Sequence, residues 1–150
     1  MSITEFKLHH IGYATNNIEK SLSYFLPFLE SKECKIRFKD TFQKVDVEFY
    51  SLKGDLLIEF IKPNSNDSPV LNFLKKFPEG YPHHFAYESG DFYKSLESLK
   101  KSNYRMVTKE TIGFEKRKIV FFTSREDPHQ PLIEIVSKEN FEAEVGIEPA

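Results

Sequence analysis

The sequence lacks several features that would place it outside the ordinary globular proteins. Its single cysteine, Cys34, cannot form a disulfide within the chain, and Met1 to Lys7 lack the apolar run of a signal peptide. No apolar stretch approaches the roughly 20 residues that are needed to cross a bilayer. Tryptophan is absent. These absences predict a protein of the reducing cytoplasm that does not span a membrane.

The sequence also has no large excess of positive or negative charge. The chain has 21 Lys and Arg residues against 23 Asp and Glu residues, a formal net charge of -2, and the two signs are interspersed. This distribution lacks the basic surface of a nucleic-acid-binding protein. What the chain does have is 39% hydrophobic residues in a length of 150, which predicts a single domain over 1–150 with a substantial core.

Two short segments occur twice, about half a chain apart. The segment His10-Ile11-Gly12-Tyr13 recurs as His84-Phe85-Ala86-Tyr87, and Leu57-Ile58-Glu59-Phe60 recurs as Leu132-Ile133-Glu134-Ile135. Each copy of the repeat has a His at its start and a Glu near its end. This repetition predicts two similar modules within one domain.

The periodicity of each half is that of a β-α-β-β-β module. Residues 7–15 alternate, with His10 and Gly12 on one face of the predicted strand, and Asn17 is then a good N-cap for a helix. In the second half Asp91 repeats the cap. The predicted fold class is therefore α+β with a mixed sheet.

The predicted boundaries follow from these patterns. Module 1 spans about 5–63, an inter-module helix beginning at Ser68 and Pro69 spans about 68–76, module 2 spans about 81–138, and a C-terminal tail spans 139–150.

The repeated His and Glu residues predict a metal centre. His10 and His84 lie on strand faces with small residues, while Glu59 and Glu134 are each flanked by apolar residues within a strand, where a carboxylate is costly to bury unless it is paired or bound to a metal. Imidazole and carboxylate ligands suit Zn, Ni, Co or Mn, and the absence of paired cysteines excludes a structural zinc site. The four residues predict one divalent metal ion.

Each of these residues also has an ordinary explanation. The two histidines could be core residues with satisfied hydrogen bonds, and the two glutamates could lie on a solvated face of the sheet; the register of all four favours the metal. By alternation His9 and His83 fall on the opposite face, where they have structural or supporting roles. His129 belongs to a predicted exposed loop.

At these residues the chain resembles the vicinal oxygen chelate superfamily, which includes glyoxalase I, extradiol dioxygenases, fosfomycin-resistance proteins and methylmalonyl-CoA epimerase. The resemblance covers about 5–138. It implies two β-α-β-β-β modules that form one curved mixed sheet around a metal, with His10, Glu59, His84 and Glu134 as the metal ligands.

Within the superfamily the sequence is most similar to methylmalonyl-CoA epimerases. The similar segments are Leu8-His9-His10-Ile11-Gly12, Ile58-Glu59-Phe60-Ile61-Lys62-Pro63, Asp67-Ser68-Pro69-Val70-Leu71-Asn72-Phe73-Leu74 and the pair His83-His84. The segments 113–117 and 123–128 depart from the epimerase pattern. A catalytic Glu on the third strand of bacterial epimerases has its counterpart about one residue away from Glu48.

The epimerase resemblance implies a metal-dependent isomerase that acts on an acyl-CoA thioester and moves an α-proton through a metal-stabilised enolate. Glu134 and Glu48 are then the candidate bases on the two faces of the substrate. A glyoxalase I type isomerase (lactoylglutathione lyase) and a metal-free small-molecule binding protein are the alternatives. The superfamily often dimerises, so a homodimer is compatible with the resemblance.

Overall fold

The computed structural model of the protein describes residues 5–138, so the predicted tail at 139–150 lies outside the described residues. The described part of the chain forms nine strands and three α-helices. In chain order these are β1 (Lys7–Ala14), α1 (Ile18–Phe25), β2 (Ile36–Asp40), β3 (Val45–Leu52), β4 (Leu56–Pro63), α2 (Val70–Lys76), β5 (Tyr81–Ser89), α3 (Phe92–Lys100), β6 (Tyr104–Met106), β7 (Thr111–Ile112), β8 (Lys118–Ser124) and β9 (Leu132–Ser137). No helix among these elements is long and apolar enough to span a membrane.

The chain is organised in two compact units. Residues 10–84 form the first unit, and residues 5–9 together with 85–138 form the second unit. Strands pair in both parallel and antiparallel fashion, so the sheet is mixed, as the sequence predicted.

The first unit has the strand order β2-β3-β4-β1. The strands β2, β3 and β4 are antiparallel neighbours, while β1 runs parallel to β4 with Gly12 opposite Glu59. One face of these strands packs against α1 in a core of Ile18, Leu29, Tyr50, Ile58 and Phe60. Because side chains alternate along a strand, His10 and Glu59 belong to the other face.

Helix α1 begins where the sequence predicted. The side chain of Asn17 accepts a hydrogen bond from the backbone N–H of Lys20, which satisfies one of the free donors at the start of the helix. The buried residue Ile18 and the half-buried Leu22 and Phe25 form the predicted apolar stripe. Local capping and helical spacing are therefore sufficient to define this element.

Helix α2 begins one residue later than predicted. The sequence predicted Ser68 as the N-cap and Pro69 as the first helical residue, but Pro69 is the N-cap and Val70 is the first helical residue. The Ser68 hydroxyl accepts a hydrogen bond from the Val70 N–H at 3.3 Å and donates one to the carbonyl oxygen of Gln43 at 2.8 Å. This serine thus ties the start of the helix to the turn before β3.

The second unit repeats this architecture with one additional strand. Its strands β9, β8 and β6 are antiparallel neighbours, and the short β7 also pairs with β8. Helix α3 is capped by Asp91, which accepts a hydrogen bond from the Lys94 N–H at 3.1 Å. The core consists of Phe92, Leu96, Val120, Phe122 and Ile135. The strand β7 was not predicted, because two residues are too few for alternation to reveal.

Candidate metal centre

Three of the predicted ligands lie together in the first unit. Glu59 Oε1 is 3.5 Å from His10 Nε2 and 2.9 Å from His84 Nε2. The two imidazole rings meet edge to face, with their centroids 5.5 Å apart. All three side chains are buried. Two ring nitrogens and one carboxylate oxygen therefore converge in the interior of this unit.

The register of β1 and β4 brings His10 and Glu59 to the same face. Gly12 lies directly opposite Glu59, and His10 is two residues before Gly12 on the same strand. Because residues two apart on a strand share a face, the imidazole and the carboxylate are neighbours on the surface of the sheet. His84 lies near the beginning of β5, the last strand of the unit.

Gly12 leaves the space that the His84 ring occupies. A Cβ atom at position 12 would lie 1.9 Å from Cε1 and 2.2 Å from Nε2 of His84. These separations are far below van der Waals contact, so no residue with a side chain fits there while the ring is in place. The small residues beside His10 in the sequence thus leave room for the second histidine.

An aromatic side chain closes the site on the β3 side. Phe49 is fully buried and lies opposite Glu59 in the register of β3 and β4. Its ring meets the His10 ring edge to face, with the centroids 5.0 Å apart. This contact adds an apolar surface beside the imidazole, and a low-polarity environment strengthens electrostatic interactions.

The charge of Glu59 is set by its two histidines. Burial alone would raise the pKa of this carboxyl group, but the positive charge of His10 and the hydrogen bonds from His10 and His84 outweigh burial and hold the pKa well below its usual range. Glu59 is consequently ionised at neutral pH. An ionised carboxylate binds a metal ion without first losing a proton.

The donor set fits a divalent metal ion. Two imidazoles and an ionised carboxylate are ligands for borderline and hard cations, and the buried group could hold such an ion. Glu59 Oε1 lies 2.9 Å from His84 Nε2 and 3.5 Å from His10 Nε2, and the absence of a side chain at Gly12 leaves space for the His84 ring.

Glu134 lies on β9 in the second unit and is 3% exposed. It stands opposite Phe121 of β8, just as Glu59 stands opposite Phe49 in the first unit. The repeat therefore extends from the glutamate to the aromatic residue on the neighbouring strand. This pairing of Phe and Glu was not recognised in the sequence, because it joins residues that are far apart along the chain.

Glu48 does not share the face of Glu59. Phe49 lies opposite Glu59 and shares its face, so the preceding residue, Glu48, points to the other side of the sheet. There its carboxylate accepts a hydrogen bond from the Tyr50 hydroxyl at 2.6 Å and lies 3.4 Å from the Arg37 guanidinium. Burial and this hydrogen bond raise the pKa of Tyr50, which therefore remains the donor. The structure corrects the expectation that Glu48 acts from a wall of the site, since a shift of one residue reverses the face.

The side chain of His83 lies on a different side of β5 from the one that alternation predicted. Alternation placed its side chain on the face opposite His84, but His83 Nδ1 lies 2.8 Å from His84 Nδ1. The imidazole next to His10 is placed differently, since His9 stacks on Phe114 with the centroids 5.1 Å apart. His129 is exposed in the loop before β9, as expected.

The family model of the Glyoxalase/Bleomycin resistance protein/Dioxygenase superfamily matches residues 9–121. The chain belongs to this superfamily. Vicinal oxygen chelate superfamily is another name for it, and it is the superfamily that the sequence resembles. The predicted family and fold class are thereby confirmed.

Named relatives include methylmalonyl-CoA epimerases. The mitochondrial methylmalonyl-CoA epimerase of Dictyostelium discoideum is 28% identical over 116 residues, which cover 77% of this chain and 69% of that protein. The uncharacterized protein YqjC of Bacillus subtilis (strain 168) is 30% identical over 126 residues, which cover 80% of this chain and 84% of that protein.

Solved structures of epimerases have the same fold. A variant of the Streptomyces coelicolor methylmalonyl-CoA epimerase in complex with 2-nitronate-propionyl-CoA aligns with a TM-score of 0.72 and 23% identity, covering 91% of this chain and 98% of that one.

Proposed function

We propose that this protein is a metal-dependent isomerase of the methylmalonyl-CoA epimerase type. The observation that carries the proposal is the convergence of His10, Glu59 and His84 in the interior of the first unit, with 2.9 Å between Glu59 Oε1 and His84 Nε2. The relatives named as epimerases support the choice of reaction within the superfamily. The substrate that we propose is an acyl-CoA thioester with a carboxyl group on its α-carbon.

Glu134 is the proposed fourth ligand. It matches Glu59 in the repeat, it is buried, and it has the same aromatic partner type on the neighbouring strand. Together with His10 and His84 the two glutamates offer one carboxylate or imidazole donor each. Four protein donors leave two positions of an octahedral shell for substrate oxygens. The ion that we propose is Co, Ni, Zn or Mn.

The proposed chemistry is an epimerisation: the α-proton leaves one face of the α-carbon, and a proton from solvent is delivered to the opposite face of the planar enolate. A bound divalent ion supplies Lewis-acid stabilisation of the negative charge on the substrate oxygens. Glu134 is the proposed base, and one of its carboxylate oxygens takes the proton from the α-carbon. Phe49, opposite Glu59 and in contact with the His10 ring, supplies an apolar side to the site. We assign no proton transfer to Glu48, because it lies on the other face of the first unit's strands.

The test combines metal analysis with solvent exchange. We expect the purified protein, supplied with Co²⁺, to bind close to one equivalent and to wash deuterium from solvent into the α-position of methylmalonyl-CoA. The variant Glu59→Gln should lose both properties, since it lacks the ionised carboxylate. Glu48→Gln is the matched control on the same pair of strands, and it should retain both.

Two results would contradict the proposal. If the wild-type protein binds no divalent ion, the proposed metal centre is refuted. If the protein binds the ion but exchanges no α-proton of methylmalonyl-CoA, the proposed epimerase reaction is refuted. The proposed metal centre is then still supported.

A glyoxalase I type isomerase is the second candidate, because the superfamily that matches the chain includes the glyoxalases. It would use the same donors to move a proton within the hemithioacetal of methylglyoxal and a thiol. Thiol-dependent loss of methylglyoxal, measured on the same Co²⁺-loaded sample, distinguishes this reaction from the epimerase reaction. A metal-free binding protein, the third alternative, would show neither metal binding nor either activity.

The single-domain organisation, a homodimer and a cytoplasmic location stay predictions. Sedimentation of the full chain would measure the oligomeric state directly.

A further inference from the structure

The imidazole of His83 directly contacts the proposed ligand His84. The Nδ1 atoms of the two rings are 2.8 Å apart, and the rings meet nearly at right angles with their centroids 5.1 Å apart. His83 is 9% exposed, so this contact is shielded from solvent. Neighbouring side chains on a strand usually point to opposite faces, and the contact is therefore a specific feature of this site.

We propose that His83 positions His84 for the metal by accepting a hydrogen bond from the Nδ1–H of His84. This inference rests on the metal centre proposed above. His83 is a positioning residue, because it acts through the ring of His84 rather than on the substrate.

The assignment of the hydrogen follows from the chemistry of imidazole. The nitrogen of His84 that points to the site is Nε2, which lies 2.9 Å from Glu59 Oε1. A neutral imidazole that binds a metal through Nε2 carries its hydrogen on Nδ1. The Nδ1 of His83 lies within hydrogen-bonding distance of that Nδ1, at 2.8 Å. His83 must then be the acceptor, with its own hydrogen on Nε2.

Helix α2 holds the His83 ring in this position. Phe73 meets the ring edge to face, with the centroids 4.9 Å apart. Phe73 in turn contacts Phe77, which follows the helix, at a centroid distance of 5.0 Å. A ring fixed on one side by an aromatic residue and on the other by His84 has little freedom to turn away. The inter-module helix thereby supports the orientation of a metal ligand.

The size of the effect can be anticipated from other metal sites. Residues that hydrogen-bond the distal nitrogen of a ligating histidine fix its tautomer and orientation, and their loss typically reduces metal affinity about 10- to 100-fold. We expect a loss within this range when the acceptor at position 83 is removed.

The experiment uses the full chain and Zn²⁺ as the probe. Zinc affinity is measured by competition with a chromophoric chelator for wild type, His83→Phe, which keeps a ring without an acceptor, and His83→Gln, which restores an acceptor. The matched control is His129→Gln, which removes an exposed imidazole from a loop. We expect His83→Phe to bind zinc about 10- to 100-fold more weakly, His83→Gln to recover most of the affinity, and His129→Gln to equal the wild type.

A second readout observes the ring hydrogen of His84 directly by NMR. In the zinc-loaded wild type, the ¹⁵N-coupled ring proton of His84 should reside on Nδ1 and be protected from exchange with solvent. Such a proton would be lost or strongly shifted in His83→Phe, which a merely structural role of His83 does not require.

The outcomes separate this inference from the proposed function. If the wild type fails to bind zinc, the metal centre itself is refuted. If the wild type binds zinc but the ring hydrogen of His84 lies on Nε2, or folded His83→Phe binds zinc as tightly as wild type, the role of His83 is refuted while the metal centre stands. If His83→Phe does not fold, a ¹⁵N–¹⁵N coupling across the hydrogen bond between the two Nδ1 atoms in the zinc-loaded wild type still decides: its presence supports the role of His83 and its absence refutes it.

Discussion

At the scale of single residues, the site depends on Gly12, because this residue has no Cβ atom. Glycine is often needed for an unusual backbone conformation, and Gly80 with its φ of +96° is such a case. Gly12 differs, since its strand is regular and the missing side chain is what matters. The volume of a methyl group at this position is filled by the imidazole of His84.

The substitution Gly12→Ala should therefore disable the metal centre without unfolding the protein. The added Cβ would lie 1.9 Å from His84 Cε1 and would displace the ring, and overpacking of this kind typically costs about 1–3 kcal/mol. We expect the free energy of unfolding to fall by about that amount and zinc affinity to fall by about 100-fold or more, since a ligand is moved.

Urea unfolding and zinc competition measure the two effects. Gly90→Ala is the control, because a Cβ at that position meets no atom within 4 Å. Zinc affinity that remains unchanged in Gly12→Ala would show that the His84 ring does not need its present position.

Two glutamates on adjacent strands, Glu48 and Glu59, lie on opposite faces of the sheet. Glu59 meets two histidines, whereas Glu48 lies beside Tyr50 and Arg37 on the side of the sheet that packs against α1. Their sequence contexts are alike, since both stand among apolar and aromatic residues of a strand. Only the register of β3 and β4 distinguishes a site residue from a residue beside the helix.

At the scale of elements, helix α1 depends on its cap. Replacing Asn17 by Ala removes the acceptor for the Lys20 N–H, and losses of such caps cost about 0.5–2 kcal/mol. We expect the free energy of unfolding, measured in urea, to fall by this amount. Asn16→Ala, at an exposed neighbouring position, should change it by no more than about 0.5 kcal/mol. Equal effects of both substitutions would contradict the role of the cap.

The core between α1 and the sheet should be sensitive to the size of Phe60. This ring is fully buried and meets Tyr13, Phe25 and Tyr50 at centroid distances of 5.8, 5.7 and 5.9 Å. Replacing a buried phenylalanine by Ala typically costs about 3–5 kcal/mol. Phe28→Ala, whose ring is 61% exposed, is the matched control and should be nearly neutral in thermal unfolding. A small loss at position 60 would mean that the core closes around the gap.

Elements with local signals were predictable, and those defined by distant contacts were not. The helix starts at Asn17 and Asp91 are predictable from the sequence, because each capping side chain and its N–H donor are three residues apart. The start of α2 differs by one residue from its prediction, and the hydrogen bond from Ser68 to the Gln43 carbonyl oxygen, which joins distant parts of the chain, was not predictable from local spacing. The same limit explains the candidate site: the repeat identified His10, Glu59 and His84, but the contact of His83 and the face of Glu48 depend on three-dimensional packing.

At the scale of the whole molecule, a bound metal ion should add to the stability of the fold. A ligand at 100 times its Kd contributes about 2.7 kcal/mol when it binds the folded state alone. For a protein of this size each kcal/mol shifts Tm by about 2–4 °C, so the gain corresponds to roughly 5–11 °C.

Calorimetry of the full chain tests this expectation. Removal of zinc with EDTA should lower Tm by this amount, and readdition of zinc should restore it. In Glu59→Gln, where a convergent ligand is missing, Tm should not respond to zinc. An equal response in the variant would place the stabilising ion elsewhere on the molecule.

The position of Phe49 is suited to a fluorescent probe of metal binding in the first unit. Its ring lies edge-on against His10, with the centroids 5.0 Å apart, in a chain that contains no tryptophan. A tryptophan introduced at this position would be the only indole in the protein, so all emission above 320 nm would originate beside the carboxylate of Glu59. Paramagnetic ions quench such emission over short distances, and fluorescence could then follow the arrival and departure of Co²⁺ in real time.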